Sequence, residues 1–312
     1  MVQATTTIKQ GLNLSAEHVA WFCAHQALFN QVVAFYFEVI QAHERVLELS
    51  SKEALTALEK LTHATERNPH PVMPLSVICE DIPAMFRRAA IHAALGSARS
   101  FYAHLKKWRA RKEKAEVKGK KFTERPPVPP RIWRKSVTLY AGMWKGRTKS
   151  SLIMKVWTGS CWSWLKCHLT GRELPEGATL GSPSLVHHGD RWWLHTPVEK
   201  QFASPPTIAQ QVTTNLGTKI CAVDLNLDGH IAVCTVQTAE GTILSTRFIG
   251  GGRAISGFRK KQLGRIARNR KQTGIIAAGE QDNTALWRKL RSCDESFAHL
   301  ASRRIVDFAQ EQ

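Results

Sequence analysis

The spacing of apolar residues divides this chain into three regions. After a short strand-like start over Thr5–Asn13, Ser15 is placed to cap a helix, and Val19, Phe22, Cys23, Phe29, Val33, Tyr36, Phe37 and Ile40 then recur at close to 3.6 residues. That spacing predicts one long amphipathic helix. Leu55, Leu58 and Leu61 predict a second, and Met85, Ala89, Ala94, Ala98, Phe101, Leu105 and Trp108 a third, so residues 15 to about 112 read as a helical bundle. From residue 136 short apolar runs, 136–140, 151–157, 161–167 and 191–198, are broken by Gly, Ser, Pro and Asp, the signature of an antiparallel β-barrel. Past Asn215 the pattern predicts strands over 219–225, 229–237 and 242–249, with turns at Asp228-Gly229 and Ala239-Glu240-Gly241. Gly250-Gly251-Gly252 ends this meander. A helix over 253–271 follows, then an amphipathic one carrying Leu286, Leu290, Cys293, Phe297, Ala301, Ile305 and Phe308.

Charge adds a partner to this picture. The 312 residues are 43% apolar, enough for two or three domains with ordinary cores, yet 44 Lys and Arg stand against 25 Asp and Glu, a net charge of +19. Such a field attracts polyanions, nucleic acid first among them. The excess is concentrated. Between Ala103 and Lys135 lie 13 basic residues and three acidic ones. Lys106, Lys107, Arg109, Arg111, Lys112, Lys118, Lys120, Lys121, Arg125, Arg131, Arg134 and Lys135 are therefore candidate phosphate contacts, with Trp108 and Trp133 interleaved; the alternative is a linker kept soluble by its charge. Within the block Arg125-Pro-Pro-Val-Pro-Pro-Arg131 forbids helix and marks a connector. A second cationic surface is predicted on the helix over 253–271, which has no acid and carries Arg259, Lys260, Lys261, Arg265, Arg268 and Arg270.

Seven of the ten tryptophans fall between 133 and 193. A barrel core accounts for most of them, and one or two are candidates for stacking on bases. The seven cysteines form no C-x-x-C pair and no zinc spacing; Cys161, Cys167 and His168 could be read as a metal corner, but packing within a strand suits them better. No run reaches the roughly 18 apolar residues of a membrane span, and the N-terminus lacks a signal-peptide pattern, so the expectation is a cytoplasmic protein without a membrane partner.

The sharpest local motif is Lys219-Ile-Cys-Ala-Val-Asp224-Leu-Asn-Leu-Asp-Gly-His230, two apolar strands joined by a polar elbow. A carboxylate at the end of a buried strand suits a divalent cation, and Mg²⁺ prefers such oxygen ligands. The plainer reading is that Asp224 ends a strand and faces water.

Taken in order, Leu28-Phe29-Asn30 on the first helix, the basic Pro-rich connector, the Trp-rich strands ending in Gly189-Asp-Arg-Trp-Trp-Leu-His-Thr-Pro-Val-Glu199, and Ala222-Val-Asp-Leu-Asn-Leu227 resemble the TnpB family of transposon-encoded, RNA-guided DNA endonucleases. The resemblance implies an α+β multidomain protein. Residues 1–14 and 130–212 would form a wedge-like β-barrel, with a helical recognition lobe over 15–129 inserted in it. Residues 213–312 would form the first part of an RNase H-like (RuvC) domain. It further implies DNA and a guide RNA as partners, a prokaryotic nucleoid-associated location, and Asp224 as the first RuvC carboxylate and Mg²⁺ ligand. Asn226 stands where the family usually has Gly, a departure that suits a left-handed turn. The later catalytic Glu and Asp and the zinc ribbon of that family are not found. Glu280, Asp282, Asp294, Glu295, Asp307 and Glu311 follow no apolar strand, so cleavage is expected only of a longer form. Two alternatives remain: a catalytically inactive guide-dependent DNA- or RNA-binding protein, and an RNase H-type DNA transposase.

Overall fold

The computed structural model describes residues 2–130, 134–203, 206–215, 217–226, 229–273 and 282–312. The chain divides into two compact units, Met1–Phe202 and Ala203–Gln312. Both are of α+β type.

In the first unit, strand β1 (Val2–Asn13) precedes three helices, α1 (Ala16–Ala42), α2 (Ser51–Thr62) and α3 (Ala84–Val117). Ser15 caps α1 by accepting from the His18 amide, and Ser50 and Glu53 close a capping box at the start of α2. Strands β2 (Ser136–Thr138), β3 (Trp144–Lys145), β4 (Ser151–Trp157), β5 (Trp162–Gly171), β6 (Thr179–Leu180), β7 (Ser184–His188) and β8 (Arg191–Phe202) follow. They form one antiparallel sheet in the order β2-β7-β8-β1-β5-β4-β3, with β6 on β8. The sheet is a curled half-barrel. Its ladders run from β2 to β3 without a closing pair among the described residues, where the sequence predicted a barrel. The N-terminal strand holds the centre of this sheet, between β8 and β5, so the three helices leave and re-enter it.

Helices and sheet share one hydrophobic core. Alternate strand residues, among them Leu152, Met154, Leu165, Cys167, Trp192 and Leu194, point inward to meet α1. The ring of Trp192 lies edge-on to Phe22, 5.4 Å between centroids. The expected amphipathic α1 has a wide buried face. From Phe22 to Ile40 only the stripe of Cys23, Gln31 and Glu38 is exposed, because helix and sheet neighbours close on the other sides, and Val19 near its start is exposed as well. His25 is fully buried on α1, with its Nδ1 accepting from the Trp157 amide at 3.1 Å and its ring set edge-on against Phe86 and Trp162. Burial pushes its pKa down to about 3.

The second unit opens with α4 (Ile208–Thr214), started by a Thr207/Gln210 capping box that the apolar pattern does not reveal. Strands β9 (Ile220–Leu225), β10 (His230–Gln237) and β11 (Ile243–Gly250) form an antiparallel sheet in the order β11-β10-β9, close to the predicted boundaries. Helices α5 (Gly252–Thr273) and α6 (Thr284–Glu311) follow. The core here is small: Ala232, Cys234, Val236 and Ile249 of the sheet with Phe308 of α6.

Candidate nucleic-acid interface

Asp224 lies on β9, opposite Val233 of β10, which is itself opposite Phe248 of β11. Directly opposed residues share a face, so these three form a row. The row is on the face away from the Ala232-Cys234-Val236 side that packs on α6, and Phe248 is 59% exposed. The expected buried strand is therefore corrected. β9 is an edge strand, residues 222–225 are exposed, and Leu225 is 70% exposed. The Asp224 carboxylate is exposed and accepts one hydrogen bond, from Asn226 Nδ2 at 3.1 Å. Asn226 closes the hairpin through its own amide, donated to the Ile231 carbonyl, and does not adopt the expected left-handed backbone. That conformation falls to Gly229, at φ 70°. Asp228 and Leu227 lie outside the described residues.

No group of three or more His, Cys, Asp or Glu side chains that could hold a metal is present among the described residues. One carboxylate beside an amide does not make a Mg²⁺ site, which needs several oxygen ligands. Asp224 could at most be one of them. The other acids are occupied elsewhere or solvated: Asp294 pairs with Arg259 at 2.6 Å, Glu311 with Arg247 at 2.7 Å, and Asp282 with Arg270. Glu280 lies outside the described residues. The Cys161/Cys167/His168 corner also dissolves. Cys167 is buried on the inner face, its thiol pushed up to about 12, whereas His168 points outward and Cys161 sits exposed just before β5.

The cationic block has a definite architecture. α3 is buried as far as Ala98; beyond it the helix carries Lys106, Lys107, Arg109, Arg111 and Lys112 exposed. The chain then folds back on it. Trp108 donates its indole N–H to the Glu124 carbonyl at 3.0 Å, stacks edge-on with Phe122 and receives the Lys112 ammonium at 5.7 Å. Trp108 thus fastens the connector to the helix. Arg111 pairs with Glu124 at 2.8 Å and Lys112 with Glu116 at 3.7 Å, both well exposed. Lys118, Lys120, Lys121, Arg125 and Lys135 are exposed, while Arg131 and Trp133 lie outside the described residues.

Arg134 differs from its neighbours. Its guanidinium donates to the Ala93 carbonyl and Ser97 hydroxyl of α3, both at 2.9 Å, and burial lowers its pKa. Its backbone is held by buried amides of α1. Asn30 accepts from its N–H at 2.5 Å and donates to its carbonyl at 3.1 Å, and Gln26 donates to the same carbonyl at 3.1 Å. Arg134 anchors the returning chain rather than offering a free cation. The sequence signal was present in Asn30 but pointed to no partner.

On α5 the half-buried and buried residues Ile255, Phe258, Gln262 and Ile266 make one stripe, leaving the cations outside. Lys260, Lys261, Arg265 and Arg268 are exposed and make no ion pair with a described residue. Arg259 and Arg270 are partly neutralised by Asp294 and Asp282, and Arg270 also lies 5.9 Å from the Trp287 ring.

Sequence reasoning did not find the outer face of the large sheet or a cluster between α2 and α3. In the cluster, Arg87, 6% exposed, donates to Glu59 at 3.2 Å and lies 3.3 Å from His63 Nδ1; Arg88 also grips Glu59. Burial alone would raise the Glu59 pKa, but the two guanidiniums more than offset it and hold the carboxyl below its ordinary range. A cavity of about 340 Å³ lined by His63, His70, Cys79 and Arg87 opens beside this cluster.

The comparisons with known proteins bear on the first unit. The sequence profile of the Aq_aa04 family matches residues 6–158, which run from β1 through the helices to the end of β4. The chain is also similar to a protein of Aquifex aeolicus (strain VF5) described as uncharacterized protein aq_aa04, 31% identical over 94 residues, covering 26% of this chain and 52% of that protein. It spans about half the length of that relative. Asp224, α5 and α6 lie outside the family match.

No described helix is long and apolar enough to cross a membrane.

Proposed function

We propose that this chain is a nucleic-acid-binding protein of TnpB-like type that binds DNA under the direction of a guide RNA. The observation that carries the reading is the second unit: a three-stranded antiparallel meander with Asp224 on its edge strand, followed directly by the cationic α5. That is the order in which an RNase H-like nuclease begins. The exposed cations of α3 and the connector supply the backbone contacts such a protein needs, since guide pairing rather than side chains reads sequence. Mg²⁺-dependent cleavage belongs, on this reading, to a form that brings further carboxylates to Asp224. A second reading is a guide-dependent binder without cleavage, since among the described residues no further carboxylate joins Asp224.

The test is to purify the chain with its bound RNA, sequence that RNA, and measure binding to duplexes that do or do not match it. Preference of at least tenfold for the matching duplex supports the proposal. Equal binding to both, or absence of any defined RNA, would sink it.

A further inference from the structure

On the outer side of the large sheet, opposite the buried Leu165, Cys167 and Leu169, Trp164 of β5 is 44% exposed. It stands directly opposite Lys155 of β4, and the Lys145 ammonium of β3 rests 4.1 Å from its ring centroid. Two residues along β5, Lys166 is opposite Ile153; two further, His168 is flanked by Ser151 of β4 and Asn13 of β1. Lys145, Trp164, Lys166, His168 and Asn13 are all exposed. The strands of this sheet hold a single acidic residue, Glu199 on β8, whose carboxylate accepts from Gln3 Nε2 at 2.6 Å and keeps its charge. Strands β3, β4 and β5, which surround the exposed indole, carry lysines and no acid.

We infer that this outer sheet face binds single-stranded RNA, with Trp164 stacking on a base and Lys145, Lys155 and Lys166 meeting the flanking phosphates. An aromatic platform within a positive groove is the sequence-tolerant way to hold an unpaired strand. Lys145, on its flexible stem, keeps the ring in place without ligand and moves to a phosphate when a base takes over the ring face. Asn13 and His168 set hydrogen-bonding groups beside the cations, suited to ribose 2′-hydroxyls. This inference rests on the nucleic-acid reading above, but on residues separate from α3, the connector and α5.

The test uses the full chain freed of bound RNA, a short unstructured labelled RNA, the DNA of the same sequence, and fluorescence anisotropy across salt. Trp164→Ala should weaken RNA binding about tenfold, within the range for loss of one stacked base, with unchanged salt slope and melting temperature. The double variant Lys155→Ala, Lys166→Ala should flatten the slope by about 1.4, two single-strand phosphate contacts. The inference falls if Trp164→Ala binds RNA within twofold of the parent while neutralising Lys106, Lys107, Arg109 and Lys260 abolishes binding, an outcome that leaves the nucleic-acid reading intact. Tighter binding to the DNA than to the RNA overturns the assignment to RNA. A parent chain that binds neither strand removes both readings together.

Discussion

The two units are built with unequal cores. In Met1–Phe202 three helices and a seven-strand path share one continuous interior, so that α1 is exposed only along a narrow stripe of Cys23, Gln31 and Glu38. In Ala203–Gln312 a three-stranded sheet is packed, among the described residues, on one face, and Val223, Leu225, Ile243, Leu244 and Phe248 remain at least 40% exposed. Stability resides in the first unit and dependence on a partner in the second. A sheet of three strands with one covered face is near the lower limit of independent stability, whereas the first unit buries enough apolar surface to stand alone.

The largest losses are expected at the centres of the two cores. Phe22→Ala in the first unit should cost about 3–5 kcal/mol, read as a shift of that unit's urea transition. Phe308→Ala removes the largest member of the small core and should unfold the second unit while leaving the first unit's transition unmoved. Hydrogen exchange resolved by segment distinguishes the two. Coincident loss of protection in both units would contradict their independence.

A smaller loss is expected from Asn30→Ala. It leaves a backbone N–H of the returning chain without its buried partner and weakens the hold on the carbonyl, about 1–3 kcal/mol in the first unit.

The buried His25 makes the same unit sensitive to acid. Its folded pKa of about 3 is below its unfolded value near 6.5, so between those values the unfolded chain binds more protons. Stability from this group is complete above about pH 6.5 and declines as pH falls toward 3, by about 1.4 kcal/mol per pH unit. His25→Asn, which keeps an acceptor for the Trp157 amide, should flatten that portion of the pH profile. An unchanged profile would remove His25 as its source. At the bottom of the scale, Arg111→Ala should change stability by less than about 1 kcal/mol in thermal melts, because its pair with Glu124 is well exposed.

The same contrast explains what the sequence could tell. Helices α2 and α3, strand β4 and the β9-β10-β11 meander follow from local period and turn residues, and lie within a few residues of their expected places. The two-residue strands β3 and β6 carry no period long enough to recognise, and β7 is placed by pairing with β2 and β8. Sheet order was hidden for a similar reason, since β1 joins β8 across nearly the whole first unit. At the candidate site, the cations of α3 and α5 were legible because charge is counted without knowing the fold. Arg134 was misread for that very reason: only the structure shows Asn30, Ala93 and Ser97 closing on it. Lys145, Lys155 and Lys166 come from three strands, and nothing in their spacing along the chain announces that they surround Trp164.

Binding between the full chain and duplex DNA should weaken steeply with salt. Contacts from about six to ten cations predict that log affinity falls against log salt with a slope between about −5 and −9, reduced by about 0.9 for each contacting cation of α3 or α5 changed to Ala. A nearly flat dependence, or a steep one that ignores those substitutions, would contradict the account.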